Sequence, residues 1–315
     1  MVKSKHSQKN KKYIRKTKKM NCHPYNKGKQ VNRNTCYTKD ALLAIRDAYN
    51  KNHDEQIKTT HPKKIWATLR SKLDHCEKED CWLNEIKDPK QKQELDNLLF
   101  SPDKPNSWKT EPNAWLSNYD IQAVLKQYEI SHPEFKLLGP SAIDYDAKPY
   151  GDDKCVWNDL CRLSLQDLKN RGKRKLGIIF NLDKHNEPGS HWVSMFVDMD
   201  QSLIFYYDSA VNAVPRQINK LKKEIMKQGK KLDNPILFKY IQNDYNHQKT
   251  NTECGMFSIF FVVTFITHNL DDHFQTIMKG GKKQLTIKDI IRIFTKPGIN
   301  DDLMTSYRKI YFNEK

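Results

Sequence analysis

Cys254 stands where a polar segment of the chain meets its most apolar stretch, a placement typical of a nucleophilic cysteine. Residues 243–252 are polar, and the apolar run that follows predicts a buried helix beginning at Cys254. The first amides of a helix lack intrahelical partners and the helix dipole is positive there, so a thiolate is favoured. We expect Gly255 to let a substrate backbone come close. The alternative role for Cys254 is that of a buried structural cysteine.

A histidine and an aspartate flank a predicted β-hairpin upstream of this cysteine. The runs 192–199 and 203–207 are rich in β-branched and aromatic residues and are separated by a short turn. His191 precedes the first run and Asp208 follows the second, so the hairpin places them side by side. The imidazole can then take the thiol proton and later protonate the leaving amine, while the carboxylate fixes the ring. Taken singly, each residue is also typical of an ordinary surface or turn position.

The polar segment before the cysteine offers a donor for a developing oxyanion. Gln248 lies six residues before Cys254, and its neutral amide together with the Cys254 backbone N–H is suited to an oxyanion hole. Asn251 and His247 are the competing candidates in the same segment. The four residues His191, Asp208, Gln248 and Cys254 are our predicted catalytic set.

The elements around this set predict a helical arm followed by an α+β domain. Residues 38–100 show helical spacing of apolar residues, and the turn-rich stretch 101–107 separates them from the rest. Strand-like runs then cluster between helices, which favours an α+β fold. We predict a disordered basic tail over 1–35, a helical arm over 36–105 and a catalytic domain over 106–315.

The basic charge of the chain is concentrated at its N-terminus. Residues 1–35 hold ten Lys, two Arg and no acidic residue, so these 12 charges leave only +5 of the formal +17 for residues 36–315. A block of one sign repels itself and is expected to be disordered. It is suited to non-specific nucleic-acid binding through phosphates or to nuclear import, and equally to a solubilising tail.

The cysteine count and hydropathy exclude several classes of protein. Seven cysteines, an odd number, and no predicted signal peptide argue against a disulfide framework and favour a reducing compartment. Cys76 and Cys81 lack a second pair of ligands, so no metal is expected. The longest apolar run, 255–270, is shorter than the roughly 20 residues of a membrane span, and no membrane association is expected.

Three segments of the chain resemble the catalytic blocks of the SUMO-protease (Ulp1-type) cysteine-protease superfamily. They are 189–198 (GSHWVSMFVD), 206–209 (YYDS) and 248–255 (QKTNTECG), in the family's order of His, Asp, Gln and Cys. The stretch 115–121 (WLSNYDI) is similar to that family's substrate-binding block. The sequences of these segments are most similar to those of the viral branch, the polyprotein-processing proteases of large DNA viruses such as African swine fever virus and the giant viruses.

The resemblance implies a Ulp1/adenain-like fold, with a central mixed sheet flanked by helices, and a cysteine endopeptidase that needs no cofactor. It implies cleavage after small residues, at Gly-Gly or Gly-X-Ala sites, in viral structural precursors during virion maturation. Trp115 and Trp192 match the two tryptophans that wall the family's substrate channel, although strand alternation also allows Trp192 to be a core residue.

Two other functions remain open from the sequence. One is a protease that removes SUMO or another ubiquitin-like protein from host conjugates, although Asn118 stands where cellular members often have Asp. The other is a non-catalytic virion protein that associates with nucleic acid. The expected location is the virion and the host-cell cytoplasm, with nuclear entry through the basic tail.

Overall fold

The computed structural model describes residues 17–149, 151, 154–277 and 284–314 of the 315-residue chain. The chain divides into two compact units, Met1–Ser101 and Pro102–Lys315, each with its own apolar core. Among the described residues, no helix is both long enough and apolar enough to cross a bilayer.

The N-terminal unit is helical, as the sequence predicts. Its helices are α1 (Lys39–Asn52), α2 (Pro62–Lys72) and α3 (Pro89–Leu99). The hydroxyl of Thr38 caps α1 by accepting a hydrogen bond from the Ala41 amide. Proline opens α2 and α3 because its missing N–H costs nothing in the first helical turn. The core centres on Tyr37, whose ring stacks on Trp82 with the centroids 5.2 Å apart.

The prediction of disorder over 1–35 is wrong for the residues from 17 onward. Met20 is buried in the core of the N-terminal unit, and the Asn26 side chain donates a hydrogen bond to the Leu98 carbonyl at 2.6 Å. A disulfide joins Cys22 to Cys36. The charge argument failed because a few apolar and cross-linked residues anchor the segment while its lysines stay at the surface. Residues 1–16 lie outside the described part of the chain.

A five-stranded mixed sheet forms the centre of the C-terminal unit, in the order β1-β2-β3-β4-β5. The central strands β2, β3 and β4 are antiparallel neighbours, and both edge strands pair in parallel. The strands are β1 (Phe135–Ala142), β2 (Lys175–Asn181), β3 (Trp192–Asp198), β4 (Leu203–Tyr207) and β5 (Lys239–Gln242). The predicted α+β class, with its β3–β4 hairpin, is confirmed.

Helices cover both faces of this sheet. They are α4 (Asn118–Ser131), α5 (Asn158–Cys161), α6 (Leu165–Asn170), α7 (Arg216–Gly229), α8 (Cys254–Thr267), α9 (Asp272–Ile277), α10 (Ile287–Thr295) and α11 (Asp301–Tyr311). Alternate strand residues point to opposite faces, so one face packs with α6 and α7 and the other with α4, α8, α10 and α11. Every residue of α8 from Cys254 to Ile266 is buried, which fixes the start of this helix within the core.

Six of the seven cysteines form disulfides, which corrects the expectation of free thiols. All seven cysteines lie in the described residues, and the pairs are Cys22–Cys36, Cys76–Cys81 and Cys155–Cys161. The odd number leaves one cysteine over, and that residue is the buried Cys254. The odd number of cysteines correctly implied that one is unpaired. It did not exclude disulfides among the other six.

Candidate active site

The β3–β4 hairpin brings His191 and Asp208 into contact, as the sequence predicts from its strand ends. Nε2 of His191 lies 2.6 Å from Oδ1 of Asp208. The hairpin register, in which Ser194 pairs with Tyr207, aligns the start of one strand with the end of the next. The ring therefore has one nitrogen fixed by a carboxylate, and Nδ1 is the nitrogen left to act on a substrate or nucleophile.

Cys254 occupies the first position of α8, and its thiol is near enough to His191 to influence the pKa of the ring. Burial opposes a charge on the ring, but the interactions with Asp208 and Cys254 outweigh it and raise the pKa of His191 to about 9. Since Nε2 is bonded to Asp208, Nδ1 is the ring nitrogen available to the thiol. A carboxylate, an imidazole and a thiol are the groups that a thiol nucleophile with an oriented general base requires.

The Asp208 carboxylate is fixed by backbone groups as well as by the ring. Oδ1 accepts a hydrogen bond from the Ala210 amide at 2.9 Å, and Oδ2 accepts from the Asn212 amide at 2.8 Å. Burial favours the neutral acid, but the bond with His191 and these amides prevail and lower the pKa of Asp208. The group is therefore an ionised acceptor, and its orientation does not depend on His191 alone.

Asn243 holds the backbone of Asp208 and was missed in the sequence. Its Oδ1 accepts from the Asp208 amide at 3.0 Å, and its Nδ2 donates to the Asp208 carbonyl at 2.7 Å. The residue follows β5, the parallel neighbour of β4, and parallel strands end at the same edge of a sheet. Recognising β5 as that neighbour was the signal that would have found it.

The polar segment before Cys254 gives its three candidates different environments. Gln248 is buried, where its Oε1 accepts from the Ser209 hydroxyl at 2.7 Å and its Nε2 donates to the Thr250 carbonyl at 2.8 Å. Nε2 of His247 lies 3.0 Å from the Lys296 carbonyl oxygen, and burial lowers the pKa of His247. Asn251 is exposed. Gln248 is thus the candidate with a fixed amide orientation, and its role as an oxyanion donor stays a prediction.

Comparison with known proteins finds a family similarity in the part of the chain that carries this arrangement. Residues 172–302 match the profile of the Ulp1 protease family, C-terminal catalytic domain. The matched range contains His191, Asp208, Gln248 and Cys254.

Residues 172–302 are similar to the catalytic domain of the Ulp1 protease family.

The similar proteins are viral and are named as proteases. A protein of Acanthamoeba polyphaga mimivirus, named as a thiol protease, is 31% identical over 173 residues, covering 55% of this chain and 54% of the relative. A protein of African swine fever virus, named as a cysteine protease, is 27% identical over 157 residues, covering 47% and 56%. The chain therefore spans about half the length of these curated relatives.

The crystal structure of a protease from African swine fever virus has a similar fold. Its TM-score is 0.61 at 18% identity, covering 94% of this chain and 96% of that chain. At that level of identity the likeness concerns the fold alone. The mixed sheet with flanking helices agrees with it.

The two tryptophans predicted to wall a substrate channel differ in exposure, and Leu116 connects them. Trp192 is buried, and its indole Nε1 donates a hydrogen bond to the Leu116 carbonyl at 2.9 Å. Trp115, directly before Leu116, is 43% exposed. The structure thus joins Trp192 to the segment that carries Trp115. The channel between their rings remains a prediction.

Gly255 has a packing role, and its predicted role in admitting a substrate backbone stays a prediction. A Cβ at this position would lie 3.2 Å from two side-chain atoms of Leu116, tighter than ordinary contact. The residue is buried. Glycine therefore lets the first turn of α8 approach the tryptophan-containing segment, and it sets the distance between Cys254 and that segment.

One group of side chains in the described residues has the composition of a metal site. Ligand atoms of His75, Cys76 and Cys81 lie within 4.8 Å of one another in the N-terminal unit. Because Cys76 and Cys81 are joined in a disulfide, neither offers a thiolate, and only His75 retains a ligand atom. This group does not fit a zinc ion.

Proposed function

We propose that the chain is a cysteine endopeptidase that works through an acyl-enzyme on Cys254. The observation that carries the proposal is the position of His191, whose Nε2 is bonded to Asp208 and whose pKa is raised in part by the neighbouring Cys254. The match of residues 172–302 to a protease family supports the same reaction. No step in the reaction needs a metal or cofactor.

Each residue of the set has a defined part in this reaction. The proton of Cys254 passes to Nδ1 of His191 before the attack, because the raised pKa of the ring favours the imidazolium, and Sγ then attacks the carbonyl carbon of the scissile bond. The Cys254 amide and the Gln248 side chain donate hydrogen bonds to the developing oxyanion. The C–N bond breaks as the imidazolium protonates the leaving amine. Water, deprotonated by His191, then hydrolyses the thioester and restores the thiol.

The proposed substrates have small residues before the scissile bond, at Gly-Gly or Gly-X-Ala sites. Trp115 is exposed next to Leu116, and Trp192 is anchored to Leu116, which packs against Gly255 beside the cysteine. Two facing rings leave little room for a β-carbon. The proposed enzyme therefore differs from a general thiol protease in requiring small residues before the scissile bond.

The proposed biological role is the processing of viral structural precursors during virion maturation. The viral origin of the similar proteins supports it, and it assigns the chain to the virion and the cytoplasm of the infected cell. Removal of a ubiquitin-like protein from host conjugates is the competing role. Under either role the partner is a protein with an extended, glycine-rich cleavage site.

A cleavage assay tests the reaction and separates the two roles. The purified chain is incubated with virion precursors in one arm and with SUMO conjugates in the other, and mass spectrometry maps the new termini. We expect new termini after small residues in the precursors only, and none with Cys254→Ala. Cleavage of the SUMO conjugates alone would support the competing role, and intact substrates in both arms would refute the proposed activity.

A further inference from the structure

A buried ion pair lies directly behind the proposed nucleophile. Glu253, the residue before Cys254, faces Arg308 of α11, and their side chains are only 1% and 5% exposed. Nε of Arg308 lies 3.0 Å from Oε2 and 3.1 Å from Oε1 of the carboxylate. The Thr305 hydroxyl of the same helix donates to Oε1 at 3.2 Å. The last helix of the chain is therefore bonded to the residue that begins the nucleophile's helix.

The rest of the guanidinium bonds to main-chain carbonyls of two segments that are far apart in the sequence. Nη2 donates to the carbonyl of Thr252 at 3.2 Å, next to the nucleophile. Three further carbonyls that accept from Nη1 and Nη2 belong to the segment that leads into Trp115, namely those of residues 112, 113 and 114, at 3.4, 3.4 and 2.9 Å. All five N–H donors of an arginine are thereby used.

An aromatic ring completes the surroundings of Arg308. The guanidinium carbon lies 4.4 Å from the centre of the Trp108 ring. The Trp108 indole donates to the Ala114 carbonyl at 2.9 Å, the same carbonyl that Arg308 binds. The planar cation is therefore held in one orientation by acceptors at its edge and an aromatic face against it.

We infer that Arg308, paired with Glu253, is a positioning residue that fixes the segment 112–115 relative to Cys254. This inference rests on the proposed function, because it concerns the width of the proposed substrate cleft. Residues 112–114 precede Trp115, and 252–253 precede the nucleophile, so one side chain sets the spacing between them. A residue needed only for packing has no reason to place four of its bonds on these carbonyls.

Arg308→Lys is the variant that tests the inference. Lysine keeps a positive charge for Glu253 but cannot reach both segments with a planar fork. We expect KM for a Gly-Gly peptide to rise about tenfold, the effect of losing one or two charge-assisted hydrogen bonds, with kcat within about twofold of wild type. Leu303→Ala, a buried position on the same helix, is the control for general destabilisation.

Hydrogen exchange supplies a readout that needs no turnover. We expect the amides of residues 112–117 to exchange faster in Arg308→Lys than in wild type, and to be unchanged in Leu303→Ala at matched Tm. The paired variant Glu253→Gln with Arg308→Gln removes both buried charges together and serves if lysine prevents folding; it should raise KM equally.

The outcomes separate this inference from the proposed function. Wild-type KM and exchange rates in the Arg308 variants, or equal changes in Leu303→Ala, would overturn the positioning role. Failure of the wild-type chain to cleave any peptide would refute the proposed function, and the exchange rates would still decide whether Arg308 fixes the segment.

Discussion

Nε2 of His191 and Oδ1 of Asp208 lie 2.6 Å apart although the residues are 17 positions apart in the chain. The side chain of Asp208 is 1% exposed and that of His191 is 15% exposed, so water has little access to their hydrogen bond. Backbone amides fix the carboxylate before any substrate arrives. The base is therefore oriented in advance, and only the peptide remains to be positioned.

Cys254 should be the cysteine that reacts first with alkylating agents. It is the free cysteine, and His191 is placed to accept its proton. Without reductant, brief iodoacetamide treatment should label Cys254 alone, and His191→Ala should slow the labelling more than tenfold, because a free thiol is only a few per cent thiolate at pH 7. Peptide mapping measures both effects. An unchanged rate in His191→Ala would contradict the activation.

Asp208→Asn should lower activity and shift its pH dependence. The native carboxylate accepts only N–H donors, so an amide must turn its NH2 toward His191 or toward the Asn212 amide. We expect kcat to fall by about 10²- to 10⁴-fold. The raised pKa of about 9 predicts that wild-type kcat/KM declines above pH 9, as His191 loses the proton that the leaving amine needs. In Asp208→Asn this limb should move to lower pH, and an unmoved limb would exclude His191 as its source.

Gln248→Ala should reduce kcat by roughly 10²- to 10³-fold, the usual effect of removing one oxyanion donor. Ser209→Ala should cost less, because it removes only the hydroxyl that orients the Gln248 amide. Asn251→Ala is the comparison, since this side chain is exposed and a candidate for the same role. Single-turnover kinetics separates kcat from binding. A large loss in Asn251→Ala with little in Gln248→Ala would reverse the assignment.

Trp192→Ala should both destabilise the domain and relax its selectivity. Removing a buried indole costs about 3–5 kcal/mol of unfolding free energy, and the bond to the Leu116 carbonyl is lost with it. If the ring also walls a channel, the ratio of Gly to Ala cleavage before the scissile bond should fall. Trp192→Phe, which keeps an aromatic ring and removes the N–H donor, is the control. A lower Tm with an unchanged ratio would reduce Trp192 to a packing role.

Deleting residues 1–16 should remove a large part of the nucleic-acid binding and leave peptide cleavage intact. This segment holds six Lys, one Arg and no acidic residue. Its loss should flatten the dependence of DNA affinity on salt, because fewer counterions are released. Deletion to residue 35 should instead unfold the N-terminal unit, since it removes Met20 and Cys22. Tight, salt-insensitive DNA binding by the shorter deletion would contradict the role of the tail.

The contact between the candidate residues His191 and Asp208 was predictable because it follows from the sequence pattern of two neighbouring strands. That pattern predicted a β-hairpin, and a hairpin places the start of its first strand beside the end of its second. The start of α8 followed from the change from polar to apolar residues. Asn243 could be found only by pairing β5 with β4. Arg308 could not be predicted, since its partners come from segments far from it in the sequence.

Two errors have a physical cause. Strand β1 was missed because it contains Pro140, which cannot donate to a sheet ladder, and the structure accommodates it with a register shift between Leu138 and Ser141. The segment 17–35 was assigned to disorder from its charge, although burial depends on a few anchoring residues and not on net charge.

The burial of α8 on every side also governs when this helix can fold. A helix that is apolar on every side has no polar face to expose to water. Its stability comes from tertiary packing rather than from the helix propensity of its residues. Its cover includes α10 and α11, which follow it in the chain. A growing polypeptide that has reached Cys254 therefore still lacks the layer that keeps this helix folded. We therefore expect the start of α8, and with it the position of Cys254, to become fixed only after α10 and α11 have been synthesised.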